Sequence, residues 1–312
     1  MHRPLAQPRL AFCLLALLVG SPALADISPS PLSSLSSPGP MDEAAAKGIS
    51  MRHEEVTVEV HDTFAIVDAT FSMANPGAAR TLEVGFPGKG VSVANAGYAV
   101  HRPLVGFQAW VDGQGVEARE KEIRHEYQHG PPKYRRTRVH RENWHVFQAT
   151  FAAKKETRLR VRYGVIAEPY TGSSWSTGET FPDASVWYIL ATGRRWSGAI
   201  GEAVVKIQPR GGVKPESLRI TDGRMGPPDR AAELAPQMPD YGKREGDGVT
   251  LRRLKLEPTA QDNLRIVYRP DPARWPDTFG AWQESVEEDA NRRLRQALGL
   301  KDEAAPKNEA AP

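Results

Sequence analysis

Five consecutive residues, His125-Glu126-Tyr127-Gln128-His129, carry the side-chain types and spacing of metal-assisted hydrolysis. On an α-helix, positions i and i+4 share a face, so two imidazoles can hold one Zn²⁺. The glutamate after the first histidine then reaches the metal-bound water and takes its proton. In this reading His125 and His129 are the metal ligands, Glu126 is the general base, and the protein is a zinc-dependent hydrolase or peptidase. A non-catalytic version joins His140 and His145 to the same two histidines as an imidazole site for Zn²⁺ or Cu²⁺. A second chemistry follows directly in the chain. Lys133 to Arg141 is a basic run in which Arg135, Arg136 and Arg138 are suited to phosphate or carboxylate groups of an anionic polymer, or to an acidic envelope protein.

The hydrolase reading needs a long, partly apolar helix around the motif. The residues before it, Glu117 to Arg124, are nearly all charged, and Ile123 and Tyr127 are the only stripe available to face a core. Gly130-Pro131-Pro132 ends any helix at the second histidine. Arg135 stands where the extended motif has its third histidine, and Glu142, Glu156 and Glu168, the remaining candidates for a third ligand, lie in no second clear helix. Residues 117 to 145 therefore read as an exposed, charged connector with no catalytic residue, no metal and no cofactor. The zinc hydrolase stays as the alternative.

The start of the chain says where such a surface would act. Arg3 and Arg9 precede an apolar run from Leu10 to Val19, and Ala23-Leu24-Ala25 supplies small residues for cleavage, the layout of a secretory signal peptide. The run is shorter than the roughly 20 residues of a membrane-spanning helix, so no span is expected after cleavage. The expected location is periplasmic or secreted. Cys13, the only cysteine, departs with the signal, which excludes disulfides and thiolate zinc ligands from the mature chain. The net charge of +3 includes Arg3 and Arg9, so the mature protein is close to neutral and is not a globally basic nucleic-acid binder.

Period-two alternation dominates the rest. Val56, Val58 and Val60 share one strand face; His61-Asp62-Thr63 is a turn; Ala65, Val67, Ala69, Phe71 and Met73 return along a second strand that ends at Asn75-Pro76-Gly77. Further strands are expected over Leu82 to Phe86, stopping at Pro87-Gly88, then Phe107 to Val111, Trp144 to Phe151, and Leu159 to Val165 with arginines on its wet face. Beyond a Gly/Ser/Thr-rich link come Val186 to Leu190, Ala203 to Ile207, Val249 to Leu256 and Leu264 to Tyr268, with Gly211 to Gly248 mostly loop. From Asp277, apolar residues recur at three- and four-residue steps as far as Leu298, and Gly299 can close that helix. Trp144, Trp175, Trp187, Tyr188 and Trp196 read as core aromatics rather than a stacking platform.

The fold class is thus all-β, mainly antiparallel, as two sandwich-like units followed by one C-terminal amphipathic helix. The divisions are a signal peptide at 1–25, a flexible leader at 26–50, a first β unit at 51–170, a second at 171–272, the helix at 273–299 and a tail at 300–312.

Asn75-Pro76-Gly77, Val84-Gly85-Phe86-Pro87, Trp187-Tyr188-Ile189-Leu190-Ala191-Thr192-Gly193 and Trp196-Ser197-Gly198-Ala199-Ile200-Gly201 resemble a family of bacterial exported proteins catalogued as a domain of unknown function. The resemblance covers Glu54 to Pro270. It implies an extracytoplasmic β-rich protein without an assigned activity, and it brings no functional residues. The expected function is a non-enzymatic envelope protein that binds or scaffolds another component through residues 117 to 145.

Overall fold

The computed structural model describes residues 34–36, 39–94, 97–100, 104–129, 136–169, 183–222, 238–271 and 286–301. The expected signal peptide, Trp175 and Arg135 lie outside them. In chain order the strands are β1 (Ser34–Ser36), β2 (Gly39–Pro40), β3 (Ser50–Val60), β4 (Phe64–Asn75), β5 (Arg80–Ala94), β6 (Gly97–Val100), β7 (Val105–Val111), β8 (Gln114–Val116) and β9 (Arg119–His129). They continue as β10 (Arg136–Phe151), β11 (Lys155–Ile166), β12 (Glu168–Pro169), β13 (Ala184–Ile189), β14 (Ile200–Pro209), β15 (Arg219–Asp222), β16 (Gly242–Glu245), β17 (Gly248–Leu256) and β18 (Leu264–Tyr268), followed by helix α1 (Glu287–Ala297). The protein is all-β and mainly antiparallel, with one C-terminal helix.

One eight-stranded sheet, ordered β16-β17-β14-β3-β4-β11-β7-β8, carries two smaller sheets on a single face. The first contains β2-β5-β10-β9 with β6 beside β5, and the second β1-β13-β18-β15 with β12 beside β13. Glu54 and Phe71 sit directly opposite in the β3–β4 pair, so they share a face. Phe71 meets Phe86 of the first small sheet at 5.9 Å between ring centroids, and the Tyr188 hydroxyl of the second donates to Glu54 Oε1 at 2.6 Å. Both layers therefore cover the same wall. The alternation that marked these strands in the sequence is the cause, since Val56, Val58, Val67, Ala69, Leu159, Val161, Val205 and Leu251 are all buried against those layers.

The motif from Trp187 to Gly201 stitches the layers together. Trp196 packs edge-on to Phe151 at 5.7 Å, the Ser197 hydroxyl accepts from the Gly48 N–H at 2.7 Å, and Ile200 is buried. Gly201 has no alternative residue, because a Cβ there would lie 2.4 Å from the carbonyl oxygen of Arg52 on β3.

Helix α1 closes one end of the opposite face. Tyr163 and Val165 point into the core, so Gly164 between them points outward, opposite Ile66. Leu294 fills the space left by that glycine, whose Cβ would come within 2.2 Å of Leu294 Cδ1. Arg293 lies 3.6 Å from the fully buried Asp62 and stacks over Phe64. Gly299 takes φ +71 just past the helix, as the expected helix stop requires.

Several expectations differ from the structure. The stretch 26–50 is not a free leader throughout: β1 pairs with β13, β2 pairs with β5, and Ala46 and Ile49 are core residues. β5 runs on past Pro87-Gly88 to Ala94, accommodated by a register shift against β10 between Glu142 and Trp144. The loop expected over 211–248 contains β15 and β16. β14 pairs in parallel with β3, so hydrogen bonds cross the expected boundary at residue 170. The largest difference lies within the exposed, charged connector expected over 117 to 145, where residues 119–129 and 136–145 belong to the paired antiparallel strands β9 and β10.

Candidate functional site

β9 is the edge strand of its sheet, hydrogen-bonded among the described residues to β10 alone. Its sequence, Arg-Glu-Lys-Glu-Ile-Arg-His-Glu-Tyr-Gln-His, suits that place, because charges discourage edge-to-edge association. The base of the ribbon is fixed to β5. Glu83 accepts from Arg119 Nη2 at 2.9 Å and from Lys121 Nζ at 2.5 Å. Burial by itself would raise the Glu83 carboxyl, but the hydrogen bonds and charges of Lys121 and Arg119 bring it net below the usual carboxylate range.

The register decides what the far half of the ribbon presents. Arg136 lies opposite His129, Arg138 opposite Tyr127, and His140 opposite His125. Opposed residues share a face, and residues two apart along a strand share it too. One face of the ribbon thus collects two arginine, three histidine and one tyrosine positions. The other face takes Thr137, Val139 and Arg141 with Gln128, Glu126 and Arg124. The sequence places these residues up to fifteen apart, and only the antiparallel fold-back interleaves their positions on one face.

The same register removes the zinc-hydrolase arrangement. A helix separates i and i+4 by about 6 Å along its axis, whereas a strand separates them by about 13 Å. His125 and His129 stand that far apart on β9, and Glu126 occupies the opposite face from both. The positions therefore lack the shared helical face that the motif's chemistry requires. The four-histidine set divides as well. His145 sits at the base of the ribbon opposite Glu120, with its ring stacked on Phe107 at 4.8 Å and an interplanar angle of 10°. Burial holds its imidazole below the ordinary value, with the Glu120 carboxylate pulling partly back. His125 and His140 hold directly opposed positions in the ribbon.

The remaining aromatic candidates are packing residues. Trp144, Tyr188 and Trp196 are buried, Arg195 lies over Trp144 at 5.3 Å, and Arg265 lies over the half-buried Trp187 at 5.1 Å. A shallow depression of about 550 Å³ on the outward face of the large sheet, lined by His53, Glu55, Glu202, Lys206 and Arg252 among others, is already neutralised from within. His53 Nδ1 lies 3.1 Å from Glu202 Oε2, Arg252 Nε donates to Glu202 Oε1 at 2.6 Å, and Lys206 donates to Glu55 Oε1 at 2.6 Å. The polar groups that the sequence reading passed over are structural. Glu54 keeps the parity of Val56 and Val58, and that parity was the available sign that it faces inward.

No family model matches this sequence, and neither does any curated protein. A protein from Legionella pneumophila, provisionally described as nutrient-binding, superposes with a TM-score of 0.50 at 15% identity, covering 75% of this chain and 70% of its own. That likeness shows a shared fold. An M1 zinc metallopeptidase from Deinococcus radiodurans reaches a TM-score of 0.33 at 12% identity, and this chain covers 42% of its length. At that score the peptidase carries no argument.

Proposed function

We propose that the protein is an exported, non-enzymatic envelope protein that binds an anionic polymer along the β9–β10 ribbon. Arg136 and Arg138 supply the fixed positive charge, with Arg135 next to them in the sequence, and Tyr127 and the histidines contribute stacking and hydrogen bonding. The observation that carries this reading is the strand register, which gathers Arg136, Arg138, His125, His129, His140 and Tyr127 on one face. A chain that is nearly neutral overall gains a local strip of this kind without becoming a general binder of nucleic acid. Further support comes from the signal-peptide layout of residues 1–25, and from the fold shared with the Legionella protein, whose provisional description is also of binding. Among the described residues no helix is long and apolar enough to cross a membrane.

The test is titration of the protein, expressed without residues 1–25, against labelled polyphosphate and labelled polygalacturonate. Binding to either, weakened by Arg136→Ala/Arg138→Ala, supports the reading. Equal affinity for wild type and double variant overturns it, and retention of an acidic envelope protein without polymer binding would transfer the strip to a protein partner.

A further inference from the structure

At the end of β11 away from helix α1, the outward face of the large sheet holds a depression of about 550 Å³ lined by Trp110, Asp112, Gly113, Arg158 and Arg160. Strand alternation puts it there. Leu159 and Val161 turn into the core, so Arg158 and Arg160 turn outward, and Trp110 shares their face because it lies opposite Arg160 in the β7–β11 pair. Gly115 lies opposite Trp110 on β8, where a Cβ would only just touch Cδ1 and Nε1 of the indole, at 3.8 Å. The flank of the ring that bears its N–H is therefore bare of a neighbouring side chain. Two of the polar groups are already fixed. Arg160 donates from Nε and Nη2 to Asp68 Oδ1 and Oδ2 at 2.8 and 2.5 Å, with its guanidinium carbon 4.9 Å from the centre of the Trp110 ring. Asp112, at φ +50, accepts the Arg158 N–H on Oδ1 at 2.7 Å and donates its own N–H to the Arg158 carbonyl at 2.8 Å. Asp112 Oδ2, Trp110 Nε1 and the Arg158 guanidinium hydrogen-bond to none of the described residues.

We propose that this depression is a subsite for one pyranose ring of a neutral glycan. The charges decide the class of ligand. Two guanidinium groups, Arg158 and Arg160, stand with two carboxylates, Asp68 and Asp112, so the wall is formally neutral and selects neither an anion nor a cation. What it offers is an apolar indole surface for the C–H face of a sugar, beside one carboxylate oxygen that accepts and guanidinium and indole N–H groups that donate. Neighbouring hydroxyls of a pyranose, each both donor and acceptor, satisfy that mixture. Arg160 and Asp112 are held before any ligand arrives, which leaves Arg158 as the long side chain to be ordered on binding. The subsite lies on a different sheet from the β9–β10 ribbon and needs no charge attraction, so it stands apart from the polymer reading.

Isothermal titration calorimetry of the protein without residues 1–25 against maltohexaose, cellohexaose and chitohexaose provides the test. Wild type should bind at least one of them, and Trp110→Ala should weaken that binding at least about tenfold, which is about 1.4 kcal/mol. Asp112→Asn keeps an oxygen for the Arg158 N–H and tolerates the left-handed backbone, so its weaker binding would report the lost carboxylate oxygen and not a disturbed turn. Gly115→Leu removes no packing and lays a side chain across the bare indole flank; it should weaken binding as well. Far-UV circular dichroism confirms that each variant keeps its strands. Raising salt from about 50 to about 200 mM, or introducing Arg136→Ala/Arg138→Ala, should leave glycan binding unchanged, whereas polymer binding by the ribbon should fall under both. No binding of any of the three oligosaccharides up to about 10 mM would overturn the assignment. So would undiminished binding in both Trp110→Ala and Gly115→Leu, or binding of polygalacturonate alone that Arg158→Ala abolishes.

Discussion

Replacing Tyr188 with phenylalanine isolates the bond that holds one covering sheet to the large one. The Tyr188 hydroxyl donates to Glu54 Oε1 at 2.6 Å, and both residues are fully buried. Phenylalanine keeps the ring and its packing, so the loss is confined to the hydrogen bond and leaves no large cavity. Removing one partner of a buried hydrogen bond costs about 1–3 kcal/mol, and water cannot replace the lost donor at a site with no solvent exposure. The expected cost is therefore about 2 kcal/mol, a substantial part of the 5–15 kcal/mol that typically stabilises a folded protein. In a chain of this size that corresponds to a fall in Tm of about 3–5 °C. Urea unfolding followed by circular dichroism measures it directly, with the midpoint moving and the slope unchanged. A cost below about 0.5 kcal/mol would refute the reasoning, because a buried polar atom stripped of its partner costs more than that.

Three other outcomes follow from the packing. Gly201→Ala should destabilise by about 1–3 kcal/mol, since its Cβ meets the rigid Arg52 carbonyl between paired strands, and unchanged urea stability would contradict that contact. Burial holds the His145 and His61 imidazoles below their ordinary value, so the unfolded chain takes up protons first as pH falls. Stability should therefore be lost as pH drops below about 6.5, and His145→Phe, which preserves the stack on Phe107, should reduce the difference between urea midpoints at pH 7.5 and 5.5. Because β14 is hydrogen-bonded to β3 across residue 170, tryptophan fluorescence and circular dichroism should report one coincident unfolding transition, whereas two separated transitions would mean independent units.

The strands that build the core were legible wherever one face is wet and the other dry. β3, β4, β11 and β14 show this alternation plainly, and so does the helix stripe ending at Leu298-Gly299. The β9–β10 ribbon was not legible, because an edge strand stabilised by backbone pairing needs no apolar alternation, and its charges look like those of a loop. The five-residue motif misled for a related reason. Its spacing has chemical meaning only on a helix, and the letters are identical on a strand. Arg136 and Arg138 were recognisable as a basic run, but their alignment with His125, Tyr127 and His129 depends on a register that no single strand encodes. Segments 26–50 and 211–248 hid their strands because β1, β2, β15 and β16 are only two to four residues long, too short for a periodic signal.

The most direct measurement of the central claim is fluorescence anisotropy of labelled polyphosphate and polygalacturonate titrated with the protein lacking residues 1–25, at about 50 and 200 mM salt. The expected result is salt-sensitive binding to at least one polymer that Arg136→Ala/Arg138→Ala weakens at least about tenfold, a loss of about 1.4 kcal/mol or more. Lys155→Ala/Lys243→Ala, which removes the same charge from exposed positions elsewhere, should leave it nearly intact. Equal losses in the two double variants would reduce the effect to net charge, and no binding by wild type would contradict the role assigned to the ribbon.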